Sequence, residues 1–200
     1  FKDFSIIESS SFPTASVLLA PDFSLCESCR TELNEWSNRR YRYAFITCTT
    51  CGPRYSITTK LPYDRIHTNM QHFHMCKDCQ QEYGNPLDQR FYSQTNSCAE
   101  CGIEMSLHFP YLSETGVNQV IKDTAQLIRE GKTVAVKGIG GYLLLCDATQ
   151  SQAIARMRER KHRPSKPFAV LYPDAAVLQQ DVELTDIEWE ALKSPAAPIV

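Results

Sequence analysis

Two hundred residues provide for one or two domains, and an apolar fraction of 42% is ordinary for a globular chain. A net charge of −2 gives no general case for nucleic-acid binding, and no stretch approaches a membrane-spanning apolar run. FKDFSIIESS has no basic segment followed by an apolar one, as a secretory leader would, so a reducing, cytoplasmic setting is expected.

Four C-x-x-C pairs dominate the first half: Cys26/Cys29, Cys48/Cys51, Cys76/Cys79 and Cys98/Cys101. Adding fifty to each of the first four positions gives the last four, so two copies of C-x2-C-x18-C-x2-C stand in tandem, joined by 24 residues. Phe23, Glu32, Arg40, Tyr41 and Gly52 recur as Phe73, Glu82, Arg90, Phe91 and Gly102. Zinc takes four thiolates in a tetrahedron, and each C-x-x-C turn delivers two from one tight knuckle. The repeat favours Cys26, Cys29, Cys48 and Cys51 around one metal and Cys76, Cys79, Cys98 and Cys101 around the other, because a duplicated unit carries its own site. A nested scheme, in which the outer pairs share one metal and the inner pairs the other, stays open at this point. A disulfide framework is the bland alternative, and even C-x-x-C spacing fits metal better. The region is poor in apolar runs, so metal must supply its folding energy, on the order of 10 kcal/mol per site. Four thiolates leave no position for water or substrate, which makes both zinc ions structural. His67, His72 and His74 lie near the second site in sequence and are read as surface or supporting residues.

Residues 14–105 thus form the finger module, and 106–116 read as a linker containing Pro110, Ser113 and Gly116. From 117 the pattern changes to that of an α/β (α+β) sheet domain. Val117, Val120, Ile121, Leu127 and Ile128 recur at helical spacing, with Gly131 as the stop. TVAVK reads as a strand, KGIGG as a turn, YLLLCDA as a second strand and SQAIARMRERKH as a helix. FAVLY reads as a third strand, Thr185 and Glu188 form a capping box for TDIEWEALK, and PIV opens another strand. Cys146, in YLLLC, is expected to be a buried free thiol.

Two features here suit phosphate chemistry. Lys137-Gly138-Ile139-Gly140-Gly141 is a glycine-rich turn after a strand, which lets backbone N–H groups approach a phosphate. It matches neither a Walker nor a dinucleotide motif, and a plain hairpin turn accounts for it as well. The second is RMRERKHRPSK, where Arg156, Arg158, Arg160, Lys161, Arg163 and Lys166 place six cations in eleven residues. A solvated helix face is the usual reading of such a run; a loop that binds a triphosphate or nucleic acid is the other.

The run CESCRTELNEWSNRRYRYAFITCTTCGPRYSI, then LPYDR and MCKDCQQEYGNPLDQRFYSQTNSCAECG, resembles the double zinc-finger region of the HypF carbamoyltransferases of [NiFe]-hydrogenase maturation. GKTVAVKGIGGYLLLCDA with RERKHRPSKPFAVLYP resembles the YrdC-like twisted sheet domain that follows in that family. The resemblance covers nearly the whole chain. It implies that residues 1–13 end an acylphosphatase-like domain and that 117–200 begin the YrdC-like one. It implies an enzyme that draws carbamate from carbamoyl phosphate, joins it to ATP (with Mg2+) as carbamoyl adenylate, and passes the carbamoyl group to the C-terminal cysteine of HypE for cyanide ligand synthesis. This chain alone would lack domains needed for the full reaction.

The resemblance also implies roles. Lys161 and Arg163 match the K-x-R element aimed at nucleotide phosphates, with Lys166 assisting. Lys137, Gly138, Gly140 and Gly141 occupy the family's substrate-binding turn, and Arg158 and Arg160 are read as solvated helix residues. Two positions depart from the family pattern: Leu143 and Tyr92 stand where it has histidines. A double-stranded-RNA-binding module is the rival function, opposed by the near-neutral charge and the lack of a basic stripe through the fingers. A DnaJ-like protein-contact module describes the fingers themselves and agrees with the main reading. A threonylcarbamoyl-adenylate enzyme is a further rival, but those proteins lack the finger pair.

Overall fold

The computed structural model describes residues 18–109 and 112–200, with side chains left undescribed over 109–115. The expected acylphosphatase tail, residues 1–13, lies outside the described residues. Two compact units emerge: the described residues through Tyr41 with Phe45–Ile103, and Arg42–Ala44 with Glu104–Val200.

The first unit is built on the repeat. Helix α1 (Glu27–Asn34) and helix α2 (Lys77–Gly84) begin directly after Cys26 and Cys76, which are their N-cap residues. Cys29 and Cys79 follow three residues later, so helical periodicity turns both sulfurs of a knuckle to one side. A helix N-terminus presents unpaired N–H groups and favours negative charge, which suits a thiolate. Single 3-10 turns at Tyr55–Ile57, Arg65–His67 and Asn69–His72 connect the copies. A bridge between Phe23 and Gly52 closes the first copy, with N–H···O bonds of 3.1 and 3.0 Å. Gly52 has φ +91°, and a Cβ there would lie 2.5 Å from Thr47 Cγ2, so backbone and space both demand glycine.

The interior of this unit is mostly not hydrocarbon. Cys29, Cys48, Cys51, Cys79 and Cys98 are buried beside Arg40, Arg54, Arg90, Thr68, Thr95, Asn96 and Ser97, with Ile46, Ile57 and Met70 as the apolar residues. Arg54 donates to the carbonyls of Cys48 (2.8 Å) and Thr49 (3.1 Å), clamping the second knuckle of the first copy. Arg65 donates to the carbonyls of Gln94, Asn96 and Phe73 at 2.8, 2.9 and 2.6 Å. Such charges stay buried because each finds several acceptors.

The second unit opens with an antiparallel hairpin, β1 (Ser106–Phe109) and β2 (Leu112–Thr115), in the register Ser106↔Thr115 to Phe109↔Leu112. The stretch expected as a linker is therefore ordered backbone; its strands are four residues each, too short for alternation to register. Helix α3 (Val117–Arg129) buries Val120 and contacts both strands. It ends in a Schellman motif, with Gly131 at φ +75° and Lys132 N–H bonded to Leu127 O at 3.0 Å. Strands β3 (Val134–Lys137) and β4 (Tyr142–Leu145) pair antiparallel as a hairpin around KGIGG, without a helix between them. Tyr142, Leu143, Leu144 and Leu145 are all exposed.

Helix α4 (Ser151–Arg160) buries Ala153 and Met157. Residues 168–172, expected as a strand, are irregular, as are 198–200. A strand needs a hydrogen-bonding neighbour, and among the described residues neither segment has one. Helix α5 (Ala175–Asp181), absent from the sequence reading, starts at Asp174, whose carboxylate accepts from Val177 N at 2.9 Å. Helix α6 (Asp186–Lys193) has the expected capping box of Thr185 and Glu188. Cys146 is only half-buried, with its thiol 3.9 Å from Met157 Sδ. Among the described residues no helix is long and apolar enough to cross a membrane.

Candidate metal centres and nucleotide loop

The thiols gather within each copy, not across copies. Cys26, Cys29, Cys48 and Cys51 form one group and Cys76, Cys79, Cys98 and Cys101 the other, with sulfurs within 4.8 Å of one another in each. A zinc tetrahedron with arms of about 2.3 Å has sulfur–sulfur edges of about 3.8 Å. The sulfurs of Cys26–Cys48, Cys48–Cys51, Cys76–Cys98, Cys98–Cys101 and Cys79–Cys101 are 3.6, 3.7, 3.7, 3.8 and 3.6 Å apart. These are edges of a coordination tetrahedron, far longer than a disulfide bond of about 2.05 Å. Donor chemistry and spacing both fit two structural zinc ions. Neither group contains a histidine; His67 turns its Nδ1 to the Pro62 carbonyl at 2.7 Å.

The two copies are stitched together crosswise. Arg40 of the first copy donates through Nε to Ser97 O (2.9 Å) and forms a two-pronged pair with Glu82 of the second. Arg90 of the second copy donates through Nε to Thr47 O (3.0 Å) and pairs the same way with Glu32 of the first. Each arginine also reaches a thiol of the opposite copy, Arg40 to Cys79 at 3.6 Å and Arg90 to Cys29 at 3.7 Å. The repeat matches of Glu32/Glu82 and Arg40/Arg90 are thus the reciprocal halves of one contact. Burial works against the charge of Glu82, but Arg40, Asn96 and Arg39 outweigh it and hold the carboxyl down at about 2.

One sequence-equivalent pair breaks the symmetry. Arg39 lies over the second thiol group, donating to Cys98 (3.2 Å), Cys76 (3.3 Å) and Cys79 (3.5 Å) and to Glu82 (2.9 Å). Gln89, fifty residues on, spends its amide on Ser28 and Glu32, both at 2.6 Å. Arg39 had no assigned role from sequence, although the contrast of Arg-Arg at 39–40 with Gln-Arg at 89–90 was readable there. Tyr92 takes a left-handed backbone (φ 52°), with its ring centre 4.9 Å from those of Tyr83 and Phe91. Its repeat equivalent, Arg42, shares the left-handed backbone at φ 58°.

In the second unit the cationic loop follows α4 directly. The helix closes in a Schellman motif with His162 in the left-handed region (φ 48°), His162 N bonding Glu159 O and Arg163 N bonding Arg158 O, both at 3.0 Å. Arg158 is not the solvated residue expected. It donates to the carbonyls of Arg163, Pro164 and Lys166 at 3.3, 3.4 and 3.1 Å and stacks over Phe168 at 4.8 Å. Arg163 also lies over the Phe168 ring, 5.6 Å from its centre. Arg156 reaches the Gly131 carbonyl, tying α4 to the end of α3. Lys161 and Lys166 are exposed, and among the described residues neither they nor Arg163 joins an ion pair.

At the other glycine-rich segment, Gly138 N bonds Gly141 O at 2.8 Å, and Gly141 has φ +154°. Lys137 extends over the Tyr142 ring at 5.4 Å, and Leu143 is exposed. Among the described residues no hydrogen bond or ion pair joins the 137–141 turn to the 161–166 loop.

Paired four-cysteine fingers joined to a YrdC-like sheet domain define the class of this chain. The HypF finger family model matches residues 25–58 and 75–108, and that of the Sua5/YciO/YrdC family, described as telomere recombination, matches 126–200. The carbamoyltransferase HypF of Rhodobacter capsulatus is 41% identical over 93% of this chain and 25% of its own length; that of Synechocystis is 44% identical over 100% and 26%. A crystal structure of T. kodakarensis HypF matches at TM-score 0.86 and 38% identity, over 92% of this chain and 24% of that one. A crystal structure of full-length HypF in a phosphate- and nucleotide-bound form matches at TM-score 0.81 and 40% identity, over 88% of this chain and 23% of that one. The chain belongs to the HypF family, of which it spans the double-finger region and the first part of the YrdC-like domain. It covers about a quarter of the length of the curated relatives it matches.

Proposed function

We propose that this chain is the zinc-held scaffold and the leading part of the nucleotide site of a carbamoyltransferase. In this reading Cys26, Cys29, Cys48 and Cys51 hold one structural zinc and Cys76, Cys79, Cys98 and Cys101 the second. The whole enzyme takes carbamoyl phosphate and ATP, and water first cleaves carbamoyl phosphate to carbamate and inorganic phosphate. A carbamate oxygen attacks the α-phosphorus of ATP, the bond to the bridging oxygen breaks, and pyrophosphate leaves. The carbamoyl group then passes from the adenylate to the C-terminal cysteine thiol of HypE, with AMP released, and becomes a cyanide ligand of the hydrogenase iron. Magnesium accompanies the ATP.

The observation that carries this reading is the loop 161–166. Negative charge grows on the departing pyrophosphate, and fixed cations stabilise it most when they need no reorganisation. Arg158 spans the carbonyls of 163, 164 and 166, so the loop is held, and among the described residues Lys161, Arg163 and Lys166 join no ion pair. Lys161 and Arg163 meet the phosphates, and Lys166 assists. Lys137 with Gly138, Gly140 and Gly141 contacts carbamate or phosphate through its ammonium and the turn's backbone N–H groups. Reduced thiols throughout the fingers suit a cytoplasmic enzyme.

The test uses the full-length protein with ATP and carbamoyl phosphate. Pyrophosphate release should require carbamoyl phosphate and fall by about two orders of magnitude or more in Lys161→Ala, with zinc content unchanged. Unchanged release in that variant removes the assignment of the loop.

A further inference from the structure

We propose that the two zinc centres differ in lability, that the centre of Cys26, Cys29, Cys48 and Cys51 is the one attacked first, and that Arg39 against Gln89 sets the difference. The inference rests on reading both thiol groups as zinc sites. A zinc tetrathiolate carries two negative charges, and its reactivity lies in the sulfur lone pairs. Each centre has one buried arginine from the opposite copy, Arg40 or Arg90, already committed to a glutamate. Among the described residues the second centre alone has a further cation on its sulfurs: Arg39 reaches three of the four at 3.2 to 3.5 Å, whereas Arg54 at the first centre is spent on the carbonyls of Cys48 and Thr49. Charge-assisted hydrogen bonds withdraw electron density from the acceptor and occupy the lone pairs an electrophile would use. At the first centre the neutral Gln89 turns to Ser28 and Glu32, and Cys48 accepts from the Thr50 backbone at 3.4 Å with the Thr50 hydroxyl at 3.1 Å.

Accessibility alone demands the opposite order. Cys76 and Cys101 are both half-buried at the second centre, whereas at the first only Cys26 is. Exposure and charge therefore oppose each other, and the order of attack reports which one governs. An alkylating maleimide makes the step explicit. The thiolate sulfur bonds to an alkene carbon, the π electron pair takes a proton from water at the neighbouring carbon, and the resulting thioether is too weak a donor to retain zinc.

The experiment treats the zinc-loaded, full-length protein with N-ethylmaleimide, follows released zinc with a chromogenic chelator, and maps labelled cysteines by peptide mass spectrometry over time. Peptides with Cys26, Cys29, Cys48 and Cys51 should label about tenfold faster than those with Cys76, Cys79, Cys98 and Cys101, the factor a charge-assisted hydrogen bond supports. Gln89→Arg should slow the first set, Arg39→Gln should speed the second, and Arg39→Lys should keep most of the protection. Equal rates, or faster labelling of the second set, overturn the proposal. So does the expected order if both Gln89→Arg and Arg39→Gln leave it unmoved. Zinc content of Cys26→Ser and Cys76→Ser variants is measured separately: a failure of each to lower zinc by one per chain overturns the zinc reading itself, whatever the labelling order.

Discussion

Arg40→Ala should loosen the second copy's metal centre although Arg40 belongs to the first copy. Arg40 is 2% exposed at its side chain and its partner Glu82 17%. The substitution removes both prongs to Glu82, the bond to Ser97 O and the 2.9 Å bond to Asn96. Glu82, held at about 2 against an ordinary value near 4.5, favours its charged form by about 3 kcal/mol. Arg39 and Asn96 share that preference and its rim is solvated, so about 2 kcal/mol falls to Arg40. The lost bond to Ser97 adds about 1 kcal/mol, for a total near 3 kcal/mol, the lower edge of the range for breaking a buried pair. The assay is guanidinium unfolding in excess zinc, with Glu82→Gln and the double variant completing a cycle. Coupling between the two sites should be about 2 kcal/mol, and hydrogen exchange should quicken first in α2 and residues 76–101. A loss below about 0.5 kcal/mol, or quickening confined to residues 26–51, would refute the crossed architecture.

Other outcomes follow from single features. His162→Gly should raise stability by about 0.5–1 kcal/mol in thermal unfolding, because His162, the residue after the C-cap Lys161, holds a left-handed backbone that glycine takes without strain. Arg158→Ala should speed amide exchange over 163–168 and raise the KM for ATP severalfold with zinc content unchanged, since it frees a loop without removing a phosphate contact. Chelation of zinc should abolish amide protection in α1 and α2, whose surroundings hold few apolar residues, while α3 keeps its protection in mass-resolved exchange.

The fifty-residue repeat contained both thiol groups and the residues of the cross-stitch, and helices α3, α4 and α6 were legible as a period or a cap, whereas α1 and α2 had shown only as C-x-x-C knuckles. Those signals are local: C-x-x-C, helical spacing and a capping box act within one or two turns of chain. The hairpin at 106–115 and helix α5 were not legible, because four-residue strands and a seven-residue helix carry too few positions to establish a period. FAVLY has strand composition, yet β structure depends on a neighbour and not on composition alone.

By itself, then, the sequence determined the eight paired thiols, the four-residue knuckles and the cationic run after α4, since each is a matter of spacing along the chain, while the structure decided that the thiols gather within each copy. Tertiary structure alone decided that each copy's arginine serves the other copy's glutamate, that Arg39 covers the sulfurs of one centre while its repeat equivalent Gln89 turns away from those of the other, and that Arg158 braces the loop instead of lying in solvent. Those are contacts between side chains brought together by folding, up to sixty-one positions apart between Ser28 and Gln89. Direction, not residue type, settles them: a guanidinium finds whichever acceptors the fold sets within about 3 Å, and no spacing rule records that choice.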